Sequence, residues 1–205
     1  MHQMTLLNLV MNMAIYCPDI PLTFVHIPKT AGSAVSDWLK THAHGTDFLP
    51  LSFGSMHWEF SKINRQMRSR RLNPGIVVVV VRNPYDRLVS TWTYYRRRGK
   101  SWCPENFRDF VLNTSWGNAK RLQTSFFKFS ETIQSETIVL RFESLATDFR
   151  QIQSLCNNDS PLKIKNKSEH DHYSSYYDAE TINAVQKRHG MDLRLLGYNF
   201  DKQSI

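Results

Sequence analysis

The chain has little cysteine and no metal-binding arrangement of it. Its three cysteines, Cys17, Cys103 and Cys156, form no CxxC pair and no Cys/His ligand spacing, which argues against a zinc site. Their odd number argues against a disulfide framework and favours a reducing compartment. There is no internal repeat, low-complexity tract or Gly/Ser linker, so the 205 residues read as one domain with enough chain to bury a core. Long apolar runs are missing too. Residues 5–16 are apolar and Met-rich, but they are too short to span a bilayer and lack the basic stretch that opens a signal peptide. Residues 1–20 are therefore expected to form a leader or buried edge segment, and residues 21–205 a single domain with no stable membrane span.

Acidic side chains are the scarcer sign of charge: 18 Asp plus Glu against 26 Lys plus Arg, a formal net charge of +8. Such a surface gathers anions, so nucleic acid, anionic lipid, acidic glycans or a phosphorylated cofactor all suit it. The basic residues cluster at 65–71 and 96–100, close to the motifs described below. A hydrophobic fraction of 41% and a charged fraction of 21% are those of a globular protein and exclude disordered and fibrous classes.

Two segments read as strands buried on both faces. Residues 22–27 are short, β-rich and closed by Pro28, and residues 76–81 are Ile followed by five valines. Residues 137–142 are a third candidate and 47–51 a weaker one. Helical spacing follows the first two. Val35, Trp38, Leu39 and His42 fall on one face, as do Tyr85, Leu88, Val89, Trp92 and Tyr95, with Pro84 at a first-turn position. Residues 143–155 and 178–189 also read as helical, the latter closed by Gly190. Alternation of strand and helix predicts an α/β fold, a central parallel sheet flanked by helices, with ligands beyond the carboxyl ends of the strands.

Two motifs lie at those ends. The first is His26-Ile27-Pro28-Lys29-Thr30-Ala31-Gly32-Ser33. Its small residues allow backbone amides to close around an anion at a helix N-terminus. Lys29 adds a mobile positive charge, and the Thr30 and Ser33 hydroxyls add donors. A tight turn with a surface lysine is the plainer reading. The motif is not a Walker A loop, because the lysine precedes the only glycine, and the valine run leads to Arg82 instead of a magnesium-holding acid. The second motif is Arg82-Asn83-Pro84-Tyr85-Asp86-Arg87-Leu88-Val89-Ser90. At a strand end the Arg82 fork suits a phosphate, with Ser90 two helical turns further on. A local ion pair of Arg82 with Asp86 is the alternative. Two anion-binding corners suit a ligand charged at both ends.

HIPKTAGS followed by VRNPYDRLVS resembles the sulfotransferases that use 3'-phosphoadenosine 5'-phosphosulfate (PAPS), specifically the carbohydrate-type, family 2-like branch. Leu140-Arg141-Phe142-Glu143-Ser144-Leu145 with Asp148-Phe149, Asn166-Lys167-Ser168, Tyr176-Tyr177-Asp178, and Asp192 through Gly197-Tyr198-Asn199-Phe200 resemble further segments of that family, so the likeness runs over residues 22–200. It implies a P-loop-like three-layer fold. It also implies that residues 29–33 (Lys29, Thr30, Ala31, Gly32 and Ser33) bind the 5'-phosphosulfate, and that Arg82 and Ser90 bind the 3'-phosphate. The reaction implied is in-line transfer of a sulfuryl group to an acceptor hydroxyl, on a carbohydrate, without a metal ion; the basic clusters point to an anionic glycan, and a lipid or small-metabolite hydroxyl stays open. Lys29 would meet charge on the leaving oxygen. His57, in Ser55-Met56-His57-Trp58-Glu59, would take the acceptor's proton, with Glu59 as the alternate base. His26 would support the loop, and His170 and His172 would border the acceptor. This chain has Ala31-Gly32-Ser33 where a second glycine and a threonine are common, and it is short beside Golgi-resident members. The location expected is cytoplasmic, or the Golgi lumen for a eukaryotic protein with an anchor outside this sequence. A P-loop kinase or nucleotide switch shares the fold expectation, and a basic nucleic-acid-binding module shares the charge.

Overall fold

The valine run becomes the strand around which the sheet is built. A computed structural model describes residues 14–47, 57–127, 137–163 and 170–200. In chain order the regular elements are β1 (Ile15–Cys17), β2 (Leu22–Val25), α1 (Gly32–His42), β3 (Thr46–Asp47), α2 (Phe60–Ser69), β4 (Ile76–Val81), α3 (Pro84–Arg97), α4 (Phe107–Asn113), β5 (Thr137–Arg141), α5 (Leu145–Asp148), α6 (Arg150–Leu155) and α7 (Ala179–Leu196). The sheet order is β3-β1-β2-β4-β5. The pairs β2–β4 and β4–β5 are parallel, with Val25 opposite Val79 and Val81 opposite Arg141. β1 runs antiparallel to β2 and to β3, which makes a hairpin-fed edge on a parallel centre. Of residues 1–20, Ile15–Cys17 are thus an internal strand of the sheet. The strand expected over 47–51 is paired at Thr46–Asp47, and residues 48–51 lie outside the described residues.

The chain divides into two compact units, each made of two segments: Met1–Val81 with Ser125–Lys165, and Arg82–Thr124 with Asn166–Ile205. The first holds the sheet with helices on both faces. On one face Phe24, Val78, Val80 and Leu140 are fully buried against Val35, Trp38 and Leu39 of α1, Leu145 of α5, and Phe149 and Ile152. On the other face the Thr23 hydroxyl lies 3.6 Å from the Met67 sulfur of α2. Burying each such aliphatic or aromatic side chain contributes about 1.5–3 kcal/mol, and the alternation of the valines feeds both faces at once. The Leu140–Asp148 motif closes the sheet's last turn: the Arg141 amide donates to the Asp148 carboxylate at 2.8 Å. The single helix expected over 143–155 is instead a 3₁₀ turn, Phe142–Ser144, followed by α5 and α6.

The second unit is helical, with its own core of Tyr85, Leu88, Val89, Phe107, Phe110, Val111, Trp116 and Val185. α3 starts where Pro84 predicts, capped by the Asn83 side chain, which accepts from the Tyr85 amide at 3.1 Å. α7 starts at a capping box between Asp178 and Thr181. Its end corrects the sequence reading. The helix passes through Gly190, bends at His189 (φ −117°, ψ 16°), and stops at Gly197 (φ 66°). The extra turns bury Asp192 and Leu196, and the left-handed backbone that ends a helix sits at Gly197.

Candidate active site

The first unit presents the loop between β2 and α1. Lys29 and Ala31, neither of them glycine, both have left-handed backbone at φ 68° and 66°. Each such residue costs about 1–2 kcal/mol, a strain that persists where surrounding structure enforces it, often at functional sites. Here Thr30 enforces it: fully buried, its hydroxyl donates to the Ile27 carbonyl at 2.9 Å. This hydrogen bond ties the middle of the loop back to the end of the strand that leads into it. Ala31 is the N-cap of α1, where it provides no side-chain cap, and the first turn of α1 carries no acid. Its first-turn amides lie at the positive end of the helix dipole. Ser33 lies in that turn and is part-exposed, as is Lys29.

His26 is built into this corner. A Cβ on Gly32 would sit 2.4 Å from His26 Cδ2 and 2.5 Å from Nε2, so glycine is what lets the imidazole pack against the helix start. His57 meets the same ring from the other side, with centroids 5.2 Å apart and planes at 64°. Burial, then the neighbouring His57 and Lys40, push the His26 pKa down to about 3, so it stays neutral at working pH. The structure thus brings His57 against His26, ahead of the loop between β2 and α1. Glu59 is two residues further on, the N-cap of α2, with extended backbone (φ −69°, ψ 148°). Both His57 and Glu59 are part-exposed.

The second unit holds Arg82 and Ser90, buried at 6% and 1% exposure. Arg82 makes the ion pair that sequence offered as the alternative: its Nε donates to Asp86 Oδ2 at 2.7 Å. Its main chain is gripped by a residue that sequence reading missed. The Arg82 amide donates to Gln123 Oε1 at 2.9 Å, and Gln123 Nε2 donates back to the Arg82 carbonyl at 2.8 Å. Gln123 is held in turn by Asp192, which is fully buried and accepts from the Gln123 amide at 2.6 Å, the Thr124 amide at 3.0 Å and the Thr124 hydroxyl at 2.7 Å. Burial alone would raise the Asp192 pKa; His189 beside it and these donors hold it below the ordinary carboxylate range. The His189 nitrogen is 3.6 Å away, beyond hydrogen-bond reach, so the backbone donors carry the geometry. The fully buried Arg87 donates to the Arg121 and Asn118 carbonyls, and burial pushes its pKa down to about 10.

The other histidines named from sequence make local contacts. His172 caps a 3₁₀ turn, with Nδ1 2.8 Å from the Ser174 hydroxyl. His170 Nε2 lies 3.8 Å from Asp86 Oδ1. Residues 166–168, part of the resemblance, lie outside the described residues. No local pattern marks Gln123, because its partners are 41 and 69 positions away.

Among the described residues no His, Cys, Asp and Glu group is arranged to hold a metal ion, and no helix is long and apolar enough to cross a membrane. No curated protein and no solved structure matches the chain. The model of the sulfotransferase family matches residues 12–199. With strand, loop and helix arranged as that likeness implies, the chain belongs to the sulfotransferase family, in its family 2-like branch, and is a transferase of sulfuryl groups.

Proposed function

We propose that the donor is PAPS and that the acceptor is a carbohydrate hydroxyl. The observation that carries this reading is the strained, uncapped loop at Lys29–Ala31: two non-glycine residues in left-handed backbone ahead of a helix whose first turn has no acid. In the proposed reaction the acceptor oxygen forms a bond to sulfur as the bond from sulfur to the 5'-phosphate oxygen breaks. The acceptor's proton passes to His57, or to Glu59 in its place. Lys29 meets the negative charge that grows on the departing phosphate oxygen. The backbone of Thr30, Ala31, Gly32 and Ser33 holds the 5'-phosphate, and Arg82 and Ser90 hold the 3'-phosphate. Positioning and electrostatics then supply most of the acceleration, and no step calls for a metal ion. The exposed cations at Arg96, Arg97, Arg98 and Lys100 support an acceptor that is itself anionic.

The test is calorimetric binding of 3'-phosphoadenosine 5'-phosphate, the desulfated donor, in the absence of magnesium, against AMP. The bisphosphate should bind much more tightly, because AMP lacks the 3'-phosphate for Arg82 and Ser90. Equal affinity for the two nucleotides would overturn the reading. A screen with labelled PAPS against glycans, lipids and small alcohols then identifies the acceptor.

A further inference from the structure

We infer that Gln123 is a positioning residue for the 3'-phosphate corner, acting on Arg82 through its main chain. The inference rests on the reading above, in which Arg82 contacts that phosphate. Pairing between β4 and β5 stops at Val81 opposite Arg141, so Arg82 is the first residue beyond the ladder. At that point the Gln123 side chain acts as one more rung. Its carboxamide exchanges two hydrogen bonds with the Arg82 amide and carbonyl, at 2.9 and 2.8 Å, as a neighbouring strand would.

The rung is itself anchored. Gln123 is fully buried, and a buried carboxamide is tolerated only when its bonds are made. Its main chain is fixed by the Asp192 carboxylate, which also takes both donors of Thr124. A buried charge therefore fixes the 123–124 backbone, that backbone fixes a carboxamide, and the carboxamide fixes the peptide planes on either side of the Arg82 Cα. The side chain leaves that Cα in a set direction and is steadied at Nε by Asp86. Packing alone would be met by an apolar side chain of the same length. Two hydrogen bonds to one residue's main chain are what orientation of that residue needs, and misplacement by about 1 Å can cost up to 10²-fold.

The experiment is the ratio of Kd for AMP to Kd for 3'-phosphoadenosine 5'-phosphate, measured by calorimetry on the full chain. Gln123→Met keeps the volume and removes both hydrogen bonds, and Gln123→Ala serves as the second variant. Both should lower the ratio by about tenfold, through weaker bisphosphate binding with AMP affinity unchanged. Arg82→Ala should collapse the ratio outright. If Arg82→Ala collapses it while both Gln123 variants keep the wild-type ratio, or weaken the two nucleotides equally, Gln123 is structural only and the inference is overturned. If Arg82→Ala itself leaves the ratio unchanged, the assignment of the 3'-phosphate to Arg82 falls, and the inference falls with it.

Discussion

The imidazole of His57 stands edge-on to that of His26, with ring centres 5.2 Å apart, and His26 in turn rests against Gly32 at the start of α1. Only one of two imidazoles so close can carry a charge easily. For His26, burial first and then the neighbouring His57 hold the pKa near 3, so this ring stays neutral.

If His57 is the base, His57→Ala should keep the fold and donor binding yet lose turnover by about 10² or more. The wild-type rate should rise with pH through the histidine range, and the variant should lose that limb. Steady-state rates across pH for His57→Ala and Glu59→Gln decide between the two bases. An unchanged profile in His57→Ala together with an inert Glu59→Gln passes the role to Glu59.

His26 makes stability itself depend on pH. A histidine that titrates at 6.5 when free and near 3 when folded binds fewer protons in the folded state. Its contribution is complete above about 6.5 and shrinks as pH falls toward about 3. Urea midpoints at pH 7 and pH 5 should therefore fall further for the wild type than for His26→Phe, which keeps a ring against Gly32 and cannot be protonated. Equal losses in the two proteins would contradict the assignment.

Lys29 carries both a charge and a strained backbone, and two substitutions separate them. Lys29→Ala and Lys29→Gly should lower kcat alike, and more than they weaken product binding, because the charge is needed most in the transition state. Lys29→Gly should be the more stable of the pair by about 1 kcal/mol, since φ 68° is easy for glycine. Normal kcat with only a raised donor KM would reduce Lys29 to a binding residue. Thermal melts check the second half.

What sequence reading reached and what it missed differ in range. The parallel strands, the α1 and α3 helices and the loop between β2 and α1 all follow from patterns a few residues long: a valine run, 3.6-residue spacing, Asn83-Pro84. Lys29, Gly32, His57 and Arg82 were named from the chain alone. The end of α7 was misplaced because Gly190 looks like a stop locally. What carries the helix onward is the burial of Asp192 against residues 123–124, a contact 68 and 69 positions long. Gln123 was invisible for the same reason. The spending of the Thr30 hydroxyl on Ile27 depends on backbone angles that no spacing encodes.

The second unit is assembled from segments that the first unit separates, and this sets the order in which the protein can be made. The Asn83 side chain donates to the Asn199 carbonyl across 116 positions, and the Tyr177 hydroxyl to the Tyr85 carbonyl across 92. During synthesis, residues 82–124 therefore leave the ribosome with Tyr85, Phe107 and Phe110 lacking the cover that Tyr173, Tyr177 and Val185 later provide. The sheet's last strand is translated in between. A chain stalled before Tyr173 would display an aromatic surface to chaperones, whereas the β2–β4–β5 core could already have closed.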